Sequence, residues 1–134
     1  AEGHRFQLDW SDDNQVEIVR NNLFEKKGAR LLIYHHVGIP TNTSHEGEYY
    51  LEDFKMHVTP FDTNPYGVEW LRFDPDSPLP ELVKTVPHVA FQVDDLASAL
   101  EEKEVLIQPN SPSEGVTVAF IVDNGAPIEF IEYS

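Results

Sequence analysis

The chain has 134 residues, a length typical of one domain, and 40% of them are hydrophobic, which suffices for a core. Its 24 acidic and 9 basic residues give a formal net charge of −15, which repels nucleic acid and anionic membrane surfaces. The absence of cysteine excludes disulfides, thiolate metal ligands and a cysteine nucleophile. No apolar run approaches the ~20 residues of a membrane span, and we expect a cytoplasmic location.

The first 30 residues are predicted to form an N-terminal extension that contains one helix. The pattern that favours the helix is "DDNQVEIVRNNLFEKKG", with polar caps at its start, one apolar face and Gly28 at its end. A strand is the alternative, because "VEIV" is rich in β-branched residues.

Residues 31–75 are predicted to carry three strands separated by polar turns. Pro40 ends the first strand, and "DTNPYG" forms the turn before the last. The stretch "EYYLEDF" fits either a short helix or an irregular segment. The predicted strands are "ARLLIYHHVGIPT", "FKMHVTPF" and "VEWLRF".

A proline-rich linker, "DPDSPLPELVKTVP", follows, and one helical turn is predicted around "PELVK". Residues 85–134 then read as β-α-β-β-β. The helix is predicted over "DDLASALEEK" because an aspartate can cap its start and apolar residues share one side. The strands are "HVAFQV", "EVLIQP", "VTVAFIVD" and "IEFIEY", with turns at "NSPSEG" and "NGAP".

Two sequence matches indicate that the two halves are copies of one unit. The segment "HVGI" from His36 aligns with "HVAF" from His88, and "GVEWLRF" aligns with "PIEFIEY". The order is the same in both halves, with the His-Val strand first and the Glu-aromatic strand last. Two matched pairs in matched order arise by chance much less often than a single match, so we predict an internal repeat.

Strand alternation assigns one histidine and one glutamate of each half to strand faces opposite bulky apolar residues. His36 and Glu69 belong to the first half, and His88 and Glu129 belong to the second. We expect the bulky apolar faces to pack under a helix. The faces that carry histidine and glutamate are then left to line a cavity.

This arrangement resembles the vicinal oxygen chelate superfamily, which contains glyoxalase I, bleomycin-resistance proteins and ring-cleavage dioxygenases. The resemblance covers about residues 31–134, and its most specific part is "HVAFQVDDL" followed by "IEFIEY". It implies an α+β fold in which two βαβββ modules form a curled mixed-sheet cup with flanking helices. The chain would be a single domain, residues 1–134, with a shortened first module over 31–75 and a second module over 85–134.

The metal ligands of that superfamily lie on the first and last strand of each module. The resemblance therefore implies the ligands His36, Glu69, His88 and Glu129. Two imidazoles and two carboxylates suit a divalent Ni, Co, Zn, Mn or Fe ion. The ion would bind a carbonyl of a small-molecule substrate, and a displaced carboxylate, Glu129 or Glu69, would move the proton. The alternative is that the histidines are merely hydrogen-bonded strand residues, but four buried unpaired polar groups would be costly.

Four more side chains are candidates for the substrate pocket, although core packing or a structural role is the alternative for most of them. They are Gln92, Phe73, Tyr133 and His57. His35 adjoins His36 but faces the other way by alternation, so we expect it at the surface or behind a ligand.

The leading functional hypothesis is a metal-dependent enzyme of the glyoxalase I type, with isomerase, lyase or epimerase chemistry. One observation counts against glutathione as part of the substrate. Its carboxylates need basic partners, and Arg72 lies on the wrong strand face by alternation. One alternative is an Fe(II) ring-cleavage dioxygenase that uses His36, His88 and Glu129. Another is a non-enzymatic module that binds small or cationic ligands. The resemblance also implies a homodimer.

Overall fold

The computed structural model describes residues 32–134, which lie within one compact unit. The helix predicted in the N-terminal extension falls outside these residues. The described strands are β1 (Ile33–Pro40), β2 (Tyr49–Leu51), β3 (Met56–Thr59), β4 (Val68–Phe73), β5 (His88–Gln92), β6 (Glu104–Ser113), β7 (Val116–Asp123) and β8 (Ala126–Tyr133). The helices are α1 (Glu81–Thr85) and α2 (Leu96–Leu100), with a 3-10 turn at Phe61–Thr63.

All eight strands join one mixed, curled sheet in the order β2-β3-β4-β1-β5-β8-β7-β6. The first strands of the two halves, β1 and β5, pair antiparallel at its centre. Each then pairs in parallel with the last strand of its own half, β4 or β8, and the outer strands follow antiparallel. The predicted α+β class and the cup built from two modules are confirmed.

The first module is smaller than the second. The described residues between β1 and β2 contain no helix, because the polar segment "TNTSHEGE" has no apolar face to pack. Glu48 organises this segment by accepting hydrogen bonds from Arg72 Nε at 2.9 Å and Arg72 Nη2 at 2.7 Å. The ambiguous stretch "EYYLEDF" forms the three-residue strand β2 and a turn.

The second module has the predicted order, but two boundaries differ. Helix α2 is only five residues long and ends before Glu102, whose positive φ of 59° reverses the chain. Strand β6 continues through most of the predicted turn "NSPSEG" with several register shifts. It tolerates Pro109 and Pro112 because it lies at the edge of the sheet, where a missing N–H costs little.

The core is divided between the two faces of the sheet. On the outer face, Leu96 of α2 packs with Phe130 and Ile121 of the second module, as alternation predicted. On the inner face, Leu71 packs with β3 of the first module, and Ile131 packs with Val118 of the second. The inner clusters therefore form walls around the middle of the cup.

Neither of the two helices within residues 32–134 is long enough to cross a bilayer.

Candidate metal centre

Four side chains from both modules converge at the middle of the cup. His36 Nε2 lies 3.4 Å from Glu69 Oε1 and 3.3 Å from Glu129 Oε1. His88 Nε2 lies 3.0 Å from the same Glu129 oxygen. The ligand atoms of His36, Glu69 and His88 all lie within 4.8 Å of one another, so this group has the geometry to hold a metal ion. The structure therefore brings all four predicted ligand candidates together.

Strand pairing explains this convergence. The four residues lie on the four central strands β4, β1, β5 and β8, which are neighbours in the sheet. Glu69 stands beside Gly38 in the parallel pair of the first module, and Glu129 stands beside Ala90 in that of the second. Equivalent registers in the two modules thus place equivalent side chains on one surface.

Gly38 makes room for the imidazole of His88. The two residues are direct partners in the antiparallel pair of β1 and β5. A Cβ atom at position 38 would lie 2.2 Å from His88 Cε1, well inside van der Waals contact. The glycine is therefore needed for its lack of a side chain, and the equivalent residue of the second module is the small Ala90.

The electrostatics of the centre differ between its two carboxylates. Burial raises the pKa of Glu129, but the two neighbouring imidazoles outweigh this effect and lower the pKa to about 2. Burial also raises the pKa of Glu69, and the imidazole of His36, 3.4 Å away, offsets this less than two imidazoles do for Glu129. Burial lowers the pKa of His36, but the carboxylates of Glu129 and Glu69 raise it above its usual value. The centre thus attracts a cation.

Unsatisfied nitrogens show that the centre fits a metal ion. His36 Nε2 and His88 Nε2 are buried, and within residues 32–134 neither has a partner with hydrogen-bond geometry, although Glu129 Oε1 lies 3.3 and 3.0 Å away. Buried polar atoms without partners are costly, and one ion at the shared centre would satisfy both nitrogens. Two imidazole nitrogens and two carboxylates are a donor set that borderline divalent ions accept.

A β-bulge turns His35 into the cup, against the prediction from strand alternation. Tyr34 pairs with Phe91 and His36 pairs with Ala90, so His35 is an extra residue in β1. Its Nδ1 lies 2.8 Å from His36 Nδ1, and its Nε2 lies 2.7 Å from Tyr133 Oη. Period-two reasoning gives the wrong face for His35, because a bulge has no reliable sequence signature, although the contact with His36 matches the alternative that placed His35 behind a ligand.

The centre opens into a cavity of about 280 Å³. Its walls are mostly apolar and are formed by the inner-face clusters of both modules. Residues that line it include Met56, Val58, Leu71, Val118, Phe120 and Ile131. The cavity is thus largely apolar, and the four polar side chains of the centre form part of its wall.

Of the four predicted pocket residues, Tyr133 lines the cavity and three do not. Gln92 is the strand partner of Ile131, but it is not part of the cavity lining. Phe73 packs against the cluster around Met56. His57 pairs with Arg72 and contacts the ring of Tyr50, which places it on the outer face.

No lysine or arginine within residues 32–134 lines the cavity. Arg72 is engaged by Glu48, as described above, and Lys55 Nζ lies 2.8 Å from Asp76. Lys84 Nζ donates a hydrogen bond to the carbonyl of Ser77. The described part of the cup therefore has no lysine or arginine side chain that could pair with an anionic group of a ligand.

No protein-family model matches the sequence, and no curated protein sequence matches it. Among solved structures, the hypothetical protein BH1468 from Bacillus halodurans C-125 has a TM-score of 0.60 and 16% identity over 77% of this chain and 95% of that one. Methylmalonyl-CoA epimerase from Mycobacterium tuberculosis has a TM-score of 0.53 and 18% identity over 75% of this chain and 87% of that one. At such identities the likeness establishes a shared fold, and this chain has the fold of both proteins.

Proposed function

We propose that this protein is a divalent-metal-dependent enzyme of the vicinal oxygen chelate superfamily that moves a proton next to a carbonyl group. The reaction is an isomerisation or epimerisation of a small molecule. The observation that carries this proposal is the convergence of two histidines and two glutamates, one of each from either module, beside one cavity. The fold shared with an epimerase also supports it.

A divalent ion held by His36, Glu69, His88 and Glu129 would polarise a carbonyl oxygen and acidify the neighbouring C–H bond. The two carboxylates have separate roles in this proposal. Glu129 contacts both histidines and is the fixed member of the centre. Among the described residues, Glu69 makes one close contact with an imidazole, that of His36, so it is the carboxylate that takes up the proton and returns it to the substrate.

The substrate in this proposal is small, uncharged and largely apolar. The walls of the cavity are apolar, and its described lining contains no lysine or arginine. A glutathione or coenzyme A conjugate carries several anionic groups, which a protein of net charge −15 repels. The lack of lysine and arginine in the described lining argues against both glyoxalase I specificity and a coenzyme A thioester.

Elemental analysis followed by an exchange assay tests the proposal. The purified protein is incubated with Ni, Co, Zn, Mn and Fe(II) salts in turn, desalted and assayed for bound metal. The metal-loaded protein is then mixed in D₂O with a panel of uncharged α-hydroxyketones, and loss of the α-proton is followed by NMR. Metal-dependent exchange supports the proposal, and metal binding without exchange of any panel member contradicts the proposed reaction.

The two alternatives give different results in the same experiments. Selective retention of iron together with oxygen consumption on a catechol would indicate ring cleavage. Failure to retain any of the metals would indicate a binding module, which the apolar cavity suits. A homodimer is also proposed, and light scattering after size-exclusion chromatography measures it.

A further inference from the structure

Three polar side chains form a continuous chain of contacts from the metal centre to the cavity. His36 Nδ1 contacts His35 Nδ1 at 2.8 Å, and His35 Nε2 contacts Tyr133 Oη at 2.7 Å. The chain joins β1 of the first module to β8 of the second. It exists because the bulge at His35 turns that imidazole inward.

The direction of the hydrogen bonds follows once His36 binds a metal, and to that extent the inference rests on the proposed function. A ligating Nε2 must offer a lone pair, so the proton of the neutral His36 ring is on Nδ1. This N–H then donates to His35 Nδ1. The neutral His35 therefore carries its own proton on Nε2 and donates it to the oxygen of Tyr133.

Tyr133 is left with its hydroxyl proton free to donate elsewhere. The residue lines the cavity, and its side chain is about half exposed there. Burial and the charge of Glu129 raise the pKa of Tyr133, which keeps the phenol protonated at neutral pH. Among the described residues, the Tyr133 hydroxyl is hydrogen-bonded only to His35, so its proton can serve a molecule that occupies the cup.

We propose that Tyr133 donates a hydrogen bond to an oxygen of the bound ligand and that His35 sets the direction of this donation. His35 is a positioning residue with two separate effects. It holds His36 in the tautomer that leaves Nε2 free, and it occupies the phenolic oxygen so that the hydroxyl proton turns toward the ligand. The pair thus adds a ligand-recognition site to the metal centre.

Cobalt(II) as the metal and acetohydroxamic acid as a bidentate oxygen ligand provide a test that needs no knowledge of the substrate. Both affinities are read from the cobalt absorption spectrum. Tyr133→Phe is expected to leave cobalt affinity unchanged and to weaken hydroxamate binding about tenfold, the effect of one lost hydrogen bond. Tyr50→Phe is the matched control, because that hydroxyl donates to Asp74 Oδ2 outside the cup. It should change neither affinity.

Two variants of His35 separate its two effects. His35→Ala should weaken cobalt binding by roughly 10- to 100-fold, as loss of a residue that orients a ligand does. His35→Asn keeps an acceptor close to the position of Nδ1 but is too short to reach Tyr133. It should restore most of the cobalt affinity while hydroxamate binding stays as weak as in Tyr133→Phe.

The outcomes distinguish this inference from the proposed function. A wild-type protein that takes up neither cobalt nor any of the other four metals overturns both. A wild-type protein that binds cobalt and hydroxamate, with Tyr133→Phe binding hydroxamate equally well, overturns the role of Tyr133 alone. Equal cobalt affinity in His35→Ala overturns the positioning of His36. Thermal melts of each variant identify any that fail to fold, and Tyr133→Phe removes only the hydroxyl group of a residue that is about half exposed.

Discussion

The two modules share one strand order but differ in the amount of structure around it. The outer strands β6 and β7 of the second module have ten and eight residues, and α2 covers its outer face. The outer strands β2 and β3 of the first module have three and four residues, and a polar segment follows β1 where the second module has its helix. Nevertheless, each module contributes one histidine and one glutamate from equivalent positions. The centre therefore needs only the two inner strands of each module.

The two modules also share the centre unequally. Glu129 of the second module contacts the histidines of both modules, whereas Glu69 of the first contacts one. The larger module thus supplies the fixed part of the site, and the smaller module completes it.

Replacing either glutamate measures this inequality and should give the largest effects. Loss of a ligand should weaken metal binding by more than the roughly 10- to 100-fold caused by loss of an orienting partner. Glu129→Gln leaves two imidazoles without their carboxylate, so it should weaken Ni(II) or Co(II) binding more than Glu69→Gln. Competition with a calorimetrically calibrated chelator measures both constants. Equal affinities of the two variants would show that the modules contribute alike.

Gly38→Ala tests the space that the first module provides for a ligand of the second. The added Cβ would overlap the ring of His88, so the imidazole must turn away and metal affinity should fall about tenfold or more. Gly47→Ala is a control, because its Cβ would meet no atom within 4 Å. Its positive φ of 89° should cost about 1 kcal/mol of stability without weakening metal binding. Unchanged metal affinity in Gly38→Ala would contradict the close approach of β1 to His88.

The sequence contained most of this central architecture. Period-two alternation assigns His36, Glu69, His88 and Glu129 to faces opposite bulky apolar residues, and the structure brings these four side chains together because the parallel pairs of the two modules have equivalent registers. The role of Gly38 could not be predicted from the sequence, because it arises from the pairing of Gly38 with His88 between antiparallel strands. Pairing across the middle of a sheet is not encoded in either strand alone.

Other features of the structure differ from the prediction, two of them because irregular backbone interrupts the alternation. The bulge that turns His35 inward has no distinctive sequence pattern. Strand β6 extends through residues that read as a turn, because an edge strand accommodates prolines and register shifts. His57 was considered as a pocket residue, but its neighbours Met56 and Val58 occupy the inner face of β3.

Asp95→Ala perturbs the helix that only the second module has. The Asp95 side chain accepts a hydrogen bond from the backbone N–H of Ser98 at the start of α2. Its loss should lower the free energy of unfolding by about 1 kcal/mol, because a cap is lost. Urea unfolding measures this value, and metal affinity should not change because α2 packs on the outer face. A parallel loss of metal affinity would mean that the outer face controls the centre.

Glu48→Gln perturbs the segment that replaces that helix in the first module. The Arg72 guanidinium lowers the pKa of Glu48 from 4.5 to about 2. A depressed pKa stabilises the folded state above about pH 4.5, and this contribution disappears as the pH falls from 4.5 toward 2. The unfolding free energies of wild type and variant should therefore differ slightly at pH 7 and converge on acidification.

Urea unfolding at pH 7, 4 and 3 follows this convergence, and Glu46→Gln in the same exposed segment serves as the control. The gap between wild type and Glu48→Gln should shrink from pH 7 to pH 3, where part of it remains because the folded-state pKa is about 2. A gap of undiminished size at pH 3 would exclude the ion pair as its source.

The metal content of a variant that lacks the first-module pair, His36→Ala combined with Glu69→Ala, tests the central claim most directly. Wild-type protein, loaded with Ni(II) or Co(II) and desalted, should retain one ion per chain. If the two modules share one centre, the double variant should retain almost none, although the His88 and Glu129 pair is intact. Retention of a full equivalent by the folded double variant would contradict a centre built from both modules.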